Sequence, residues 1–118
     1  MSNLQLPDKY KSFLDEFLSN IRIDDRIHKV VLFGSCARGE TTGKSDIDIL
    51  VTTKHQLDEE AELEFYDYLP NQRSENYIPC DLIVMSDQRY EDNKFTTGYV
   101  QKYINLEGVD LKTQMQTC

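Results

Sequence analysis

The stretch Gly34-Ser35-Cys36-Ala37-Arg38-Gly39-Glu40-Thr41-Thr42-Gly43-Lys44-Ser45-Asp46-Ile47-Asp48 decides how this chain is read. It follows His28-Lys29-Val30-Val31-Leu32-Phe33, a β-branched apolar run that reads as a strand over residues 28–33 and ends at Gly34. A brief helix is expected from Ser35, stopping at Gly39, and then a polar loop over residues 40–45 with Gly43 at a turn. Residues 46–52 read as a second strand. Period two places Asp46, Asp48 and Leu50 on one face and Ile47, Ile49 and Val51 on the other. The link between the two strands is too short for an ordinary parallel crossover, so the sheet is expected to be mixed.

Further elements lie on either side. Tyr10, Phe13, Leu14, Phe17, Leu18 and Ile21 recur at helical spacing, which predicts an amphipathic helix over residues 8–21 with Pro7 near its first turn. Residues 57–69 predict a second helix. Leu57, Ala61, Phe65, Tyr68 and Leu69 face inward, and Asp58, Glu59, Glu60, Glu62 and Glu64 lie mostly in solvent. Pro70 to Pro79 is a loop. Residues 80–85 form a third strand, with Asp81, Ile83 and Met85 on one face and Leu82 and Val84 on the other. Residues 95–106 predict a last helix through Tyr99, Val100, Tyr103 and Ile104, with Gly108 as its stop. The expected fold is therefore α/β of the α+β kind, a small mixed sheet flanked by helices. It forms a single domain over residues 1–118, with its core at about residues 8–110 and a frayed tail at 112–118.

The chemistry concentrates at the quoted stretch. A glycine after a strand allows close backbone approach, and the turn that follows offers N–H groups and the Ser35 hydroxyl to an anion such as a phosphate. Arg38 is placed to steady phosphate charge, and Lys44 ranks below it. Aspartate is disfavoured inside strands, so Asp46 and Asp48 flanking Ile47 call for a reason. Asp81, at the start of another apolar strand, is a third acid of the same kind. Three converging carboxylates repel one another, and a bound hard cation such as Mg²⁺ removes the conflict. Gly34, Ser35 and Arg38 are thus the candidate phosphate ligands. Asp46, Asp48 and Asp81 are the candidate metal ligands and catalytic acids, in a two-ion arrangement in which Asp81 also serves as general base.

Composition narrows the partners. With 21 acidic against 13 basic residues and a net charge of −8, the chain is a poor fit to direct nucleic-acid binding. No stretch approaches the length of a membrane span, and Met1 to Asp8 lacks the regions of a signal peptide. The cysteines Cys36, Cys80 and Cys118 are odd in number and far apart, which argues against a disulfide framework or zinc site and fits the cytoplasm.

Residues 34–51 resemble the minimal nucleotidyltransferases of the DNA polymerase beta superfamily, whose pattern is Gly-Ser, ten residues, then Asp-x-Asp. A chance match in a chain of this length is roughly one in a thousand. Ala37-Arg38-Gly39, Ser45, the run Pro79 to Val84 and the ending Glu107-Gly108-Val109 extend the likeness across about residues 8–110. Cys36 departs from it, standing where the family often carries a larger residue. The resemblance implies a small polymerase beta-like sheet and Mg²⁺-dependent transfer of a nucleoside monophosphate, usually AMP from ATP, onto a hydroxyl. It also implies an antitoxin role in a toxin–antitoxin system, the acceptor being a tyrosine of an all-helical HEPN-type toxin. Larger relatives carry added substrate domains for which this length leaves no room. Two other readings stay open: a non-catalytic module that neutralises a partner by contact through Asp58 to Glu64, and a small-molecule nucleotidyltransferase whose acceptor site lies on a separate helical subunit.

Overall fold

The computed structural model describes residues 6–40 and 45–111. Helix α1 (Asp8–Ile21) leads into strand β1 (Ile27–Phe33), a short helix α2 (Ser35–Arg38) and strand β2 (Ile47–Thr53). Helix α3 (Glu59–Leu63) runs on into a 3-10 turn (Glu64–Tyr68). Strand β3 (Cys80–Ser86), helices α4 (Asp87–Asn93) and α5 (Val100–Glu107) and strand β4 (Val109–Asp110) follow.

The sheet has four strands in the order β3-β2-β1-β4. β1 is antiparallel to β2 and to β4, whereas β2 and β3 are parallel, so the sheet is mixed as the short link required. Alternation assigns the two faces. Ile47, Ile49 and Val51 join Val30, Leu32 and Leu82 in a core roofed by Tyr10, Phe13, Leu14, Phe17 and Ile21 of α1 and by Phe65 of the 3-10 turn. Val31, Phe33, Leu50 and Met85 face the other way, under Tyr90 of α4 and Ile104 of α5. Each fully buried Phe or Leu contributes roughly 1.5–3 kcal/mol, and α1 alone supplies Phe13 and Phe17 with no exposure at all.

Four expectations need correction. The helix expected at 57–69 is split. Its α-helical part ends at Leu63, and the tighter turn that follows buries Phe65 while its tyrosines reach elsewhere: Tyr66 Oη donates to Leu82 O and Tyr68 Oη to Asp24 Oδ2, each at 2.8 Å. The helix expected at 95–106 starts only at Val100, because Gly98 takes a positive φ of 96° in the turn before it. Its apolar side is largely exposed: Tyr99, Val100 and Tyr103 face solvent, and Ile104 with Gln101 is buried. Finally, α4 and β4 were not expected. Residues 41–44, which hold Gly43 and Lys44, and the tail at 112–118 lie outside the described residues.

Candidate active site

Parallel pairing of β2 with β3 sets Asp48 opposite Asp81, with Ile47 opposite Cys80 and Ile49 opposite Leu82. The two aspartates share the parity of Leu50, Ile83 and Met85, so they lie on the sheet face covered by α4 and α5. Asp46 is exposed and sits one residue before β2. Its backbone is held from the α1 side. Tyr10 Oη donates to Ser45 O at 2.8 Å, and Cys36 Sγ donates to Asp46 O at 3.6 Å. The aromatic stripe of α1 thus anchors the entry to the carboxylate strand as well as filling the core.

Gly34 closes the site from β1. Its φ of 77° and ψ of −159° fall in a region open essentially to glycine alone. A Cβ built there would collide with Asp48 Oδ2 and lie 3.2 Å from Asp48 Cγ. The glycine therefore does two things: it turns the chain from strand to helix, and it lets the backbone press against the Asp48 carboxylate. Gly39, also at positive φ, ends α2 and meets nothing, which fits chain reversal.

The electrostatics favour a cation. Burial pushes the Asp48 carboxyl above the ordinary aspartate range, and the Asp81 and Asp46 carboxylates push it further. Burial likewise drives the Cys80 thiol up to about 12, with the same three acids adding to it, so Cys80 is a protonated wall group and not a nucleophile. Among the described residues, no three Asp, Glu, His or Cys side chains are drawn into a closed ligand cluster. The donors present are nonetheless carboxylate oxygens, and the surroundings of Asp48 oppose its charge, which fits a hard divalent ion. A cavity of about 420 Å³ opens beside the pair, lined by Phe33, Asp48, Tyr66, Cys80, Asp81, Leu82 and Ile83.

Residues 10–111 match the nucleotidyltransferase domain family. The chain belongs to this family. A candidate protein adenylyltransferase of Methanocaldococcus jannaschii is 51% identical to it over 41 residues, a match spanning 35% of this chain and 39% of that protein. Among solved structures, a toxin–antitoxin with AMP-PNP superposes with a TM-score of 0.55 at 24% identity, over 82% of this chain and 70% of the other. A mutant of the toxin–antitoxin MntA–HpeT gives 0.51 at 22% identity, over 90% and 72%. A candidate nucleotidyltransferase from Sulfolobus solfataricus gives 0.51 at 18% identity, over 92% and 90%. These likenesses carry the fold.

In this member of the family, the structure brings Gly34, Asp48 and Asp81 together, with Asp46 as a neighbouring charge. Ser35 follows Gly34 as the first residue of α2. Arg38 is engaged by protein groups: its Nε donates to Glu40 Oε1 at 2.8 Å and its Nη1 to Glu107 Oε1 at 2.9 Å. Two contributors have no site role in the sequence reading, although Glu107 stands in the ending that carries part of the resemblance. Tyr66 lines the cavity, and Glu107 reaches the turn. Spacing gave no sign of Tyr66, which sits in a segment patterned as plain helix. Glu107 stands immediately before the predicted helix stop, and a carboxylate at a helix C-terminus, where the dipole disfavours it, was the available signal.

Proposed function

We propose that the chain is a Mg²⁺-dependent nucleotidyltransferase that moves AMP from ATP onto a tyrosyl hydroxyl of a small helical toxin, and so acts as that toxin's antitoxin. The observation that carries the reading is Asp48 standing opposite Asp81 with Gly34 pressed against it. A divalent cation bound there would supply charge neutralisation for the triphosphate and would lower the pKa of an attacking hydroxyl. The chain's own residues do the rest. Ser35 takes terminal phosphate oxygens at the close backbone approach that Gly34 allows, the Gly34 N–H itself being held by Glu107. Asp46, Asp48 and Asp81 would hold the ions, and Asp81, the more exposed of the facing pair, would accept the acceptor's proton. The single domain of residues 1–118 is the catalytic unit, working with an acceptor carried on another molecule in the cytoplasm.

The choice of AMP and of a protein acceptor is supported by the adenylyltransferase relative and by toxin–antitoxin assemblies sharing the fold, one of them with AMP-PNP. ATP labelled at the α-phosphate, incubated with Mg²⁺, this protein and its helical partner, is expected to label the partner. Label from the γ-phosphate is expected to leave with pyrophosphate. Transfer of the γ-label, or of neither, overturns the proposal.

A further inference from the structure

Glu107 binds two separate parts of the Gly34 turn with one carboxylate. The Gly34 N–H donates to its Oε1 at 3.3 Å, and Arg38 Nη1 donates to Oε1 at 2.9 Å and to Oε2 at 3.1 Å. Arg38 spans to a second acid through Nε and Glu40 Oε1 at 2.8 Å, and its Nη1 also reaches Tyr103 Oη at 3.3 Å. Two carboxylates therefore already outweigh the guanidinium's single charge. An incoming phosphate would meet Glu107 on the same nitrogen.

The carboxylate is itself rigidly placed. Glu107 ends α5, Gly108 N donates to Ile104 O at 2.7 Å, and Val109 of β4 pairs with Leu32 of β1. A Cβ on Gly108 would collide with Val31 Cγ1 and lie 2.6 Å from Ile104 O, so the α5–β4 corner is pressed directly onto β1. β1 is the strand that delivers Gly34. The turn is thus gripped from two sides, by Asp48 against its Cα and by Glu107 on its N–H.

We propose that Arg38 and Glu107 form a positioning pair. They act on the bound triphosphate through the Gly34 turn, Glu107 fixing the glycine peptide and Arg38 fixing Glu107, without a guanidinium–phosphate contact. This rests on reading the turn as the triphosphate site, and it reassigns Arg38 from phosphate ligand to support. A lysine at position 38 keeps the charge a phosphate would need but cannot span Glu40 and Glu107 as the planar fork does.

The test measures binding of a Mg²⁺-loaded non-hydrolysable ATP analogue by calorimetry, together with amide hydrogen exchange at Gly34. Wild type is compared with Arg38→Lys, Arg38→Gln, Glu107→Ala and Arg38→Gln/Glu107→Ala, each checked for a wild-type melting profile. Positioning predicts that Arg38→Lys and Arg38→Gln weaken the analogue alike, by about tenfold. It predicts that the double variant is no worse than Glu107→Ala alone. It also predicts a kcat at saturating ATP within about threefold of wild type, and faster Gly34 exchange in Glu107→Ala. A direct phosphate contact predicts instead that Arg38→Lys binds as wild type and that Glu107→Ala binds more tightly. Either result, or unchanged Gly34 exchange in Glu107→Ala, overturns the pair. The exchange measurement needs no nucleotide, so a wild type that binds no analogue defeats the triphosphate reading while the grip on Gly34 is still judged by its own readout.

Discussion

Asp81 of β3 stands directly across a parallel strand pair from Asp48 of β2. Asp48 is half-buried, and its burial and the carboxylate across the rung both oppose its ionisation. Such an arrangement is unfavourable for the fold, which is the usual mark of a site kept for chemistry.

Asp48→Asn is therefore expected to stabilise the metal-free protein at neutral pH while removing transfer activity. Relief of about 1 kcal/mol corresponds to a rise in Tm of about 4 °C for a domain of this size. Differential scanning calorimetry in chelator measures it. A lower Tm for the variant would mean that Asp48 is held by favourable contacts and not by a missing cation. Added Mg²⁺ is expected to raise the Tm of wild type and leave Asp48→Asn unmoved.

Gly34→Ala is expected to be costly in two ways. The backbone there costs a side-chain-bearing residue on the order of 1–3 kcal/mol, and the new methyl group would strike Asp48 Oδ2. The variant should lose both stability in urea and nucleotide affinity. Ala at Gly39, whose φ is also positive but whose Cβ meets nothing, is expected to lose stability alone.

Tyr10→Phe removes the donor to Ser45 O and leaves the packing of α1 intact. A loss of about 1 kcal/mol is expected. Because Ser45 precedes Asp46, kcat for transfer is expected to fall along with it. A variant that loses stability but keeps full kcat would confine Tyr10 to the core.

The pH dependence of stability has a separate source. Asp24 is held down to about 2, against an ordinary 3.8, first by hydrogen bonds from the Arg26 side chain and then by Tyr68. A carboxyl with a depressed folded-state pKa lends stability that is complete above its unfolded value and is lost as pH falls through the folded one. Asp24→Asn is thus expected to be less stable than wild type at pH 7 by on the order of 2 kcal/mol. The gap should close between about pH 4 and pH 2. Paired urea titrations across that range check it, and a gap that stays constant would contradict the role given to Asp24.

The sequence disclosed the elements whose signal is periodic. The α1 stripe gave Asp8–Ile21 to the residue, and the alternation around Asp48 gave both faces of β2. The Gly34-Ser35 turn and the acids were legible because aspartate inside an apolar strand violates local preference. The omissions are of another kind. α4, Asp87–Asn93, carries a single buried side chain, Tyr90, and has no period to read. β4 is two residues long and exists only because β1 offers an edge beside it. Tyr99 and Tyr103 have the spacing of a buried face, yet each is 52% exposed, since periodicity records a face and not what covers it. Glu107 meets Gly34 across 73 residues, a contact set by tertiary packing alone.

The central claim is that the facing carboxylates and the Gly34 turn form one nucleotide-transfer site. It is tested most directly by Mg²⁺-dependent label transfer from α-labelled ATP to the helical partner, comparing wild type with Asp48→Asn at equal folded protein. The account predicts labelling by wild type, abolished by chelator, and a loss on the order of a hundredfold or more in Asp48→Asn. Labelling by Asp48→Asn at the wild-type rate, or neutralisation of the partner with no labelling by wild type, would contradict it.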